Sequence, residues 1–252
     1  MDALITFTNF TPWLFYLICA ACGIAGIVRG FTGFGLSAVA MAILTAFVAP
    51  VELLPIMLLL EAAASLFLLR GTWRDADFGM IGWMFIGSII GYPIGLTLTV
   101  SVSVEISKFM ALGIILVLVL ANLSGRMPPL GRTKFSLVIA GFTASFASGI
   151  AGVGGLVLAL VYLSLQLEPR VMRATMVVHL LVSLVMSISY QLWFGVMDGQ
   201  AIERSAVLIP VTLVGVWIGK LMFQPSAEKY YRRVCMIVLV IVTVLGMLRT
   251  AF

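Results

Sequence analysis

The chain has 252 residues, of which 62% are hydrophobic and 10% charged, against about 45–50% and about 25% in soluble domains. A water-soluble globular domain is excluded, and because one membrane-crossing helix takes roughly 20 apolar residues, ten such segments would use nearly the whole length. Fifteen Lys and Arg against ten Asp and Glu leave a net charge of +5, which reads as loop charge rather than a nucleic-acid footprint.

Residues 1–10 carry Asp2 and no basic residue, so they lack the positive region that opens a cleaved secretory signal and are expected to belong to the mature chain. Apolar runs bounded by charge, Pro or Gly follow at 13–28, 34–48, 53–69, 78–98 and 106–123, called segments a to e. After a polar, proline-containing stretch at 124–134 come 135–148, 156–167, 172–194, 206–223 and 234–248, segments a′ to e′. Lipid satisfies no backbone hydrogen bonds, and the runs lack the strict alternation of barrel strands, so they are helices. The expected fold is an all-α polytopic membrane helix bundle, one domain over 1–252. Segments b, a′ and b′ are short, at 15, 14 and 12 residues, a length often found re-entrant or packed inside the protein. Eight to ten helices are therefore expected.

Cys19 and Cys22 stand in a C-x-x-C spacing, but both lie inside segment a, where free cysteine behaves as a small buried hydrophobe. Cys235 stands alone. Packing is the expected role of all three.

The two halves resemble each other. Gly30, Gly33 and Gly35 align with Gly149, Gly152 and Gly154 at an offset of 119, and Pro50 meets Pro169 at the same offset. After one loop insertion, Gly91 and Gly95 match Gly215 and Gly219 at an offset of 124, and Lys108 pairs with Arg232. Two ordered blocks separated by one length change indicate a duplication, repeat 1 over about 11–123 and repeat 2 over about 135–249. Five segments per repeat invert the second half relative to the first, the inverted-repeat plan of many secondary transporters.

Lys and Arg accumulate in cytoplasmic loops. With alternating segments, one side receives Arg29, Arg70, Arg74, Arg126, Arg132, Lys134, Arg170, Arg173, Lys220, Lys229, Arg232 and Arg233, and the other Lys108, Arg204 and Arg249. Twelve against three places the rich side in the cytoplasm and both termini outside.

Each junction between segments a and b is the expected seat of the chemistry. Clustered glycines break a helix, expose backbone N–H groups and admit a ligand. Helix N-termini carry about half a positive charge, and transporters aim the N-termini of discontinuous helices at anionic substrates. The expected substrate-binding set is Arg29, Gly30, Thr32, Gly33 and Gly35 at the first junction, with Ser145, Ser148, Gly149, Gly152 and Gly154 at the second. The bland alternative is that the glycines only let helices pack closely, as the stripe Gly87, Gly91 and Gly95 is expected to do.

These paired junctions, GIVRGFTGFG and ASGIAGVGG, on a duplicated hydrophobic chain of this length resemble the sulfite exporter TauE/SafE family. The resemblance covers essentially the whole chain. Phe34 interrupts the glycine run that the family pattern usually shows. The resemblance implies a bacterial inner-membrane transporter of about eight spans for small anions, its members associated with sulfite, sulfonates and other organosulfur or carboxylate compounds.

Glu61 lies in the middle of segment c and His179 in the middle of c′, and His179 maps at the 119 offset to Leu60, beside Glu61. Ionisable residues at that depth are functional candidates by default, here for proton coupling; the structural alternative is that each bonds a neighbour and fixes packing. Trp13, Trp73, Trp193, Tyr230 and Tyr231 stand near segment ends, where aromatic belts anchor helices at the interface. No cofactor, metal cluster, nucleotide-phosphate loop or nucleic-acid motif is expected, and the glycine cluster GFTGFG follows a helix rather than a strand. The expected partners are the lipid bilayer, a small anionic substrate and protons; homo-oligomerisation stays open. Two other readings are kept: an intramembrane serine hydrolase using Ser148 and His179, which needs the two side chains within reach, and a non-transporting scaffold with no polar cavity. A transporter instead needs the two glycine junctions to converge on one cavity.

Overall fold

In the computed structural model the described residues are 11–45, 47–103 and 131–223, with isolated positions at 106, 110, 230, 237, 240, 241 and 244. Eight α-helices are seen there: α1 (Pro12–Thr32), α2 (Leu36–Leu44), α3 (Pro50–Leu69), α4 (Phe78–Ser101), α5 (Lys134–Ala151), α6 (Gly154–Ser164), α7 (Pro169–Trp193) and α8 (Gly199–Met222). One 3-10 turn, Trp73–Asp75, joins α3 to α4. The helices correspond to segments a to d and a′ to d′. Segments e and e′ lie outside the described residues, apart from a few isolated positions.

Local chemistry sets the helix starts. Proline occupies the first helical position of α1, α3 and α7, where its missing N–H costs nothing and its fixed φ suits the helix. Pro50 and Pro169, matched in the sequence, thus open corresponding helices. Asp77 caps α4 by accepting from the N–H of Met80 at 3.0 Å, and Asp198 caps α8 by accepting from that of Ala201 at 2.7 Å.

Five helices, α1, α3, α4, α7 and α8, are long and apolar enough to cross a bilayer. The nine residues of α2 and eleven of α6 reach only about 13 and 16 Å at a rise of about 1.5 Å per residue, half the hydrocarbon thickness. Segments b and b′ are therefore half-helices packed inside the protein, with Leu156 to Leu163 of α6 all buried. Large apolar side chains such as Val185, Ile90 and Val214 are exposed on the long helices, as a lipid-facing surface requires. Trp13, Trp73 and Trp193 are exposed at the ends of elements, and Cys22 is fully buried among the core of α1.

The most extensive interfaces are α4 with α5 and α8 with α1, which correspond when the halves are exchanged. Both are glycine seams. A Cβ on Gly91 would stand 3.1 Å from Phe142 Cα and one on Gly149 2.7 Å from the Leu96 N–H nitrogen; in the other seam a Cβ on Gly219 would stand 2.8 Å from Phe31 N and one on Gly30 2.8 Å from Lys220 N. The stripe Gly87, Gly91 and Gly95 is a packing feature, since added side chains would collide with the backbone of α5.

Arg29 and Arg173, counted from the sequence as cytoplasmic loop charge, are instead buried in the bundle, at 0% and 6% exposure, and Arg204 on the other side is buried at 8%. Removing these three from the loop count leaves ten against two, so the bias survives the correction. Arg204 reaches Glu52 at 3.3 Å.

Candidate functional site

The first junction is a helix break built by Thr32, Gly33 and Gly35. Gly33 ends α1 at φ +83° and its N–H returns to the carbonyl of Arg29 at 2.9 Å, a left-handed turn that a side chain would strain. The Thr32 hydroxyl accepts from the Phe34 N–H at 3.2 Å and lies 2.8 Å from the carbonyls of Val28 and Phe34, so it satisfies backbone groups that the break exposes. Gly152 makes the same turn at the end of α5, with φ +68° and its N–H on the Ser148 carbonyl at 2.8 Å. Gly154 then brings α6 back over α5, where a Cβ would meet the Ser148 side chain at 2.6 Å.

Arg29 points from α1 into the protein and is tied on all sides. Its Nε stands 3.2 Å from Glu61 Oε2, one Nη donates to Ser65 Oγ at 2.6 Å and the other to the carbonyl of Gly33. The second oxygen of Glu61 accepts from both the N–H and the hydroxyl of Ser37, at 3.1 and 2.8 Å. Ser37 lies in the first turn of α2, so Glu61 puts a carboxylate on the N-terminus of this half-helix, the place at which an anion is stabilised by orphan N–H groups and the helix dipole. The first half thus supplies its own anion.

The corresponding residues of the second half are different. At the 119 offset Arg29 becomes Ser148, Glu61 becomes Leu180 and Ser65 becomes Leu184. All three of these line a cavity, together with Gly152 and Gly155 at the second junction and Ser37 and Glu61 from the first half. Tyr92, Ser183, Ser187 and Gln191 complete its polar lining, and Leu54, Met57 and Leu58 its apolar wall. About 540 Å³ of empty space, part of it open to solvent, lies inside. The start of α2 and the side of α3 approach the second junction closely, because a Cβ on Gly152 would stand 3.7 Å from Ser37 Cβ and 3.4 Å from a methyl of Leu54. The second junction opens directly into this cavity, and the first half reaches it through Ser37 and Glu61 rather than through its own glycines.

Exchange of the halves also relates Gly33 and Arg173 to Gly152 and Leu54. A Cβ on Gly33 would meet Arg173 Cγ at 2.9 Å, while Arg173 donates to the Gly30 carbonyl at 2.7 Å and its guanidinium lies 4.6 Å from the Phe223 ring centre. The first junction is closed by this arginine. The second carries a leucine in the same place and opens into the cavity.

Of the residues singled out in the sequence, Glu61, Ser148 and Gly152 meet at this cavity. Arg29 stands behind Glu61, and Thr32, Gly33 and Gly35 shape the break, with Gly35 at φ +88° before α2. Gly30 and Gly149 lie in the helix seams. Ser145 is buried on α5 and does not line the cavity. His179 is buried, with Nδ1 3.2 Å from the Tyr162 hydroxyl; among the described residues Tyr162, not Ser148, is its side-chain partner. Sequence reasoning missed Ser37, Tyr92, Ser183, Ser187 and Gln191, although Ser183, Ser187 and Gln191 repeat at helical spacing on one face of α7.

The profile of one family, sulfite exporter TauE/SafE, matches residues 18–246. The chain belongs to the sulfite exporter TauE/SafE family. A relative from Cupriavidus necator, described as a probable sulfite/organosulfonate exporter TauE, is 22% identical over 227 residues, covering 88% of this chain and 89% of its own length. No solved structure matches the chain. Membership makes the protein a multi-pass membrane transporter and not an enzyme, which removes the hydrolase reading of Ser148 and His179.

Proposed function

We propose that this chain is a secondary transporter of a small sulfur-containing oxyanion, sulfite or an organosulfonate, in the bacterial inner membrane, working by alternating access between two inverted repeats. Family membership and the name of the Cupriavidus relative support the substrate class. The observation that carries the site is internal to the fold: the first half-helix, α2, has its N-terminus covered by the Glu61 carboxylate, whereas the corresponding region of α6 has Ser148 and Leu180 in place of Arg29 and Glu61 and faces the cavity. The substrate takes at α6 the place that Glu61 takes at α2, helped by Ser148 and by backbone N–H groups at the second junction.

The loop charge supports an orientation with the basic side in the cytoplasm and both termini outside. In that orientation α7 runs outward from Arg173, so its cavity-lining face from Leu180 to Gln191 lies in the outer half and Arg173 in the inner half. The arrangement then corresponds to an outward-open state, sealed toward the cytoplasm by Arg173 against Gly30 and by Arg29 against Glu61. Exchange of the two halves' conformations gives the inward-open state.

Glu61 is the residue through which a proton couples to transport, since among the described residues it is the carboxylate lining the cavity and its partner Arg29 loses its counter-charge when the carboxylate is protonated. His179, held by Tyr162 outside the lining, is the weaker candidate. The test is labelled sulfite efflux from proteoliposomes with and without an imposed pH gradient. The parent protein should show efflux that follows the gradient, and Glu61→Gln should keep sulfite exchange but lose the response. Equal responses would remove Glu61 from coupling, and an absence of sulfite or sulfonate flux in the parent would overturn the substrate class.

A further inference from the structure

Five residues of α7, Leu180, Ser183, Leu184, Ser187 and Gln191, share one face and line the cavity. At about 1.5 Å per residue this face runs about 16 Å along the helix, so the cavity extends well beyond the neighbourhood of Glu61 and the second junction. Its far end is polar. Gln191 is 1% exposed, and its Nε2 donates to the Tyr92 hydroxyl at 2.8 Å. Among the described residues its other end, Oε1, is buried without a hydrogen-bond partner, and so is the hydroxyl of Ser183. Buried polar groups are almost always satisfied, and each one left unmade costs about 1–3 kcal/mol. Two such groups on the wall of one cavity, on a helix that could have carried leucine there as it does at 180 and 184, are held for something that enters the cavity.

Resting on the transport reading above, we infer that Gln191 and Ser183 are substrate-recognition residues, successive stations at which the oxygens of a sulfite or sulfonate head group are hydrogen-bonded on the way between the open end and the second junction. The chemistry suits an anion that must leave again. Neutral hydroxyl and carboxamide groups solvate oxyanions without the strong hold of a free cation, and the guanidinium of Arg29, behind Glu61, is already committed to Glu61, Ser65 and Gly33. The carboxamide adapts: in a half-turn its Oε1 accepts from the Tyr92 hydroxyl and its Nε2, now free, donates into the cavity. Tyr92 on α4 is thereby a positioning residue, fixing the end of Gln191 that it holds.

The experiment is isothermal titration calorimetry of the purified full-length protein in detergent with two probes, sulfite and methanesulfonate, alongside thermal unfolding without either. Gln191→Met and Ser183→Ala should each weaken binding by about tenfold or more, the loss expected for one hydrogen bond to a charged ligand. Ligand-free, Ser183→Ala should unfold at or above the parent's temperature, because an unsatisfied buried group has been removed, and Gln191→Met, which loses the unsatisfied Oε1 together with the bond to the Tyr92 hydroxyl, should stay near it. That divergence of affinity and stability separates recognition from packing. If Gln191→Met fails to fold, Ser183→Ala decides alone. Unchanged affinity in the folded variants, with the parent binding well, would overturn the inference while leaving the transport reading intact, and would mean that water satisfies these groups. Failure of the parent to bind either probe would overturn both.

Discussion

The two glycine junctions share one left-handed turn and have opposite contents. Gly33 and Gly152 end their helices in the same left-handed turn, at φ +83° and +68°, yet the space beside the first is filled by Arg29, Glu61 and Arg173, and the corresponding space beside the second is a cavity lined by Ser148 and Leu180, with Leu54 in place of the arginine. A duplicated fold can therefore keep a structural copy of its own site. One half is satisfied internally by an ion pair, and in the proposed function the other offers its turn to a ligand.

The largest effects should come from breaking the filled side. Arg29→Met leaves the Glu61 carboxylate without its counter-charge and should cost about 3–5 kcal/mol, as loss of one partner of a buried pair does. The double substitution of Arg29 and Glu61 to Met should recover most of that stability. Thermal or denaturant unfolding in detergent checks both.

Next are the turns themselves. Gly152→Val forces a branched side chain to φ +68° at a cost of about 1–3 kcal/mol and places a Cβ near Ser37 and Leu54, so flux should fall by more than tenfold while the protein still folds. Gly33→Val should be worse for stability, because its Cβ also meets Arg173 Cγ at 2.9 Å. Comparing the two in unfolding and in proteoliposome flux sharpens the contrast between a closed and an open junction.

Arg173→Ala removes a hydrogen bond to the Gly30 carbonyl and the contact with Phe223, worth about 1–3 kcal/mol together. Its more telling consequence is access: a cysteine at Thr32 should become labelled by a membrane-impermeant reagent from the side of the basic loops. The smallest effect belongs to Glu52→Gln, which should shift unfolding by no more than about 1 kcal/mol, since Glu52 is 54% exposed and an ion pair with so exposed a partner contributes little.

The hydrophobic runs made the long helices legible, and Pro50 and Pro169 marked helix starts that the structure retains. The glycine clusters marked both breaks, but sequence spacing alone does not separate a glycine needed for a turn from one needed in a seam. Gly33 and Gly152 are the former, Gly30 and Gly149 the latter, and the distinction depends on the partner helices α8 and α4. Arg29 and Arg173 read as loop charge because they sit at the ends of apolar runs; only the packing of α3 and of the α1 terminus around them shows that they are internal. Glu61 was legible from its depth in segment c. Ser183, Ser187 and Gln191 were not, because hydroxyl and amide side chains in a membrane helix serve helix packing as often as ligand contact. Their repetition at every fourth residue on one face was the available signal.

The most direct test rebuilds the first junction inside the second. Ser148→Arg together with Leu180→Glu places at the second junction the residues that correspond to Arg29 and Glu61, and labelled sulfite flux in proteoliposomes is measured against the parent. If the cavity is the transport site, the doubly substituted protein is monodisperse in detergent and carries no sulfite. Flux equal to the parent's would contradict the account, because an anion could then cross with the second junction filled.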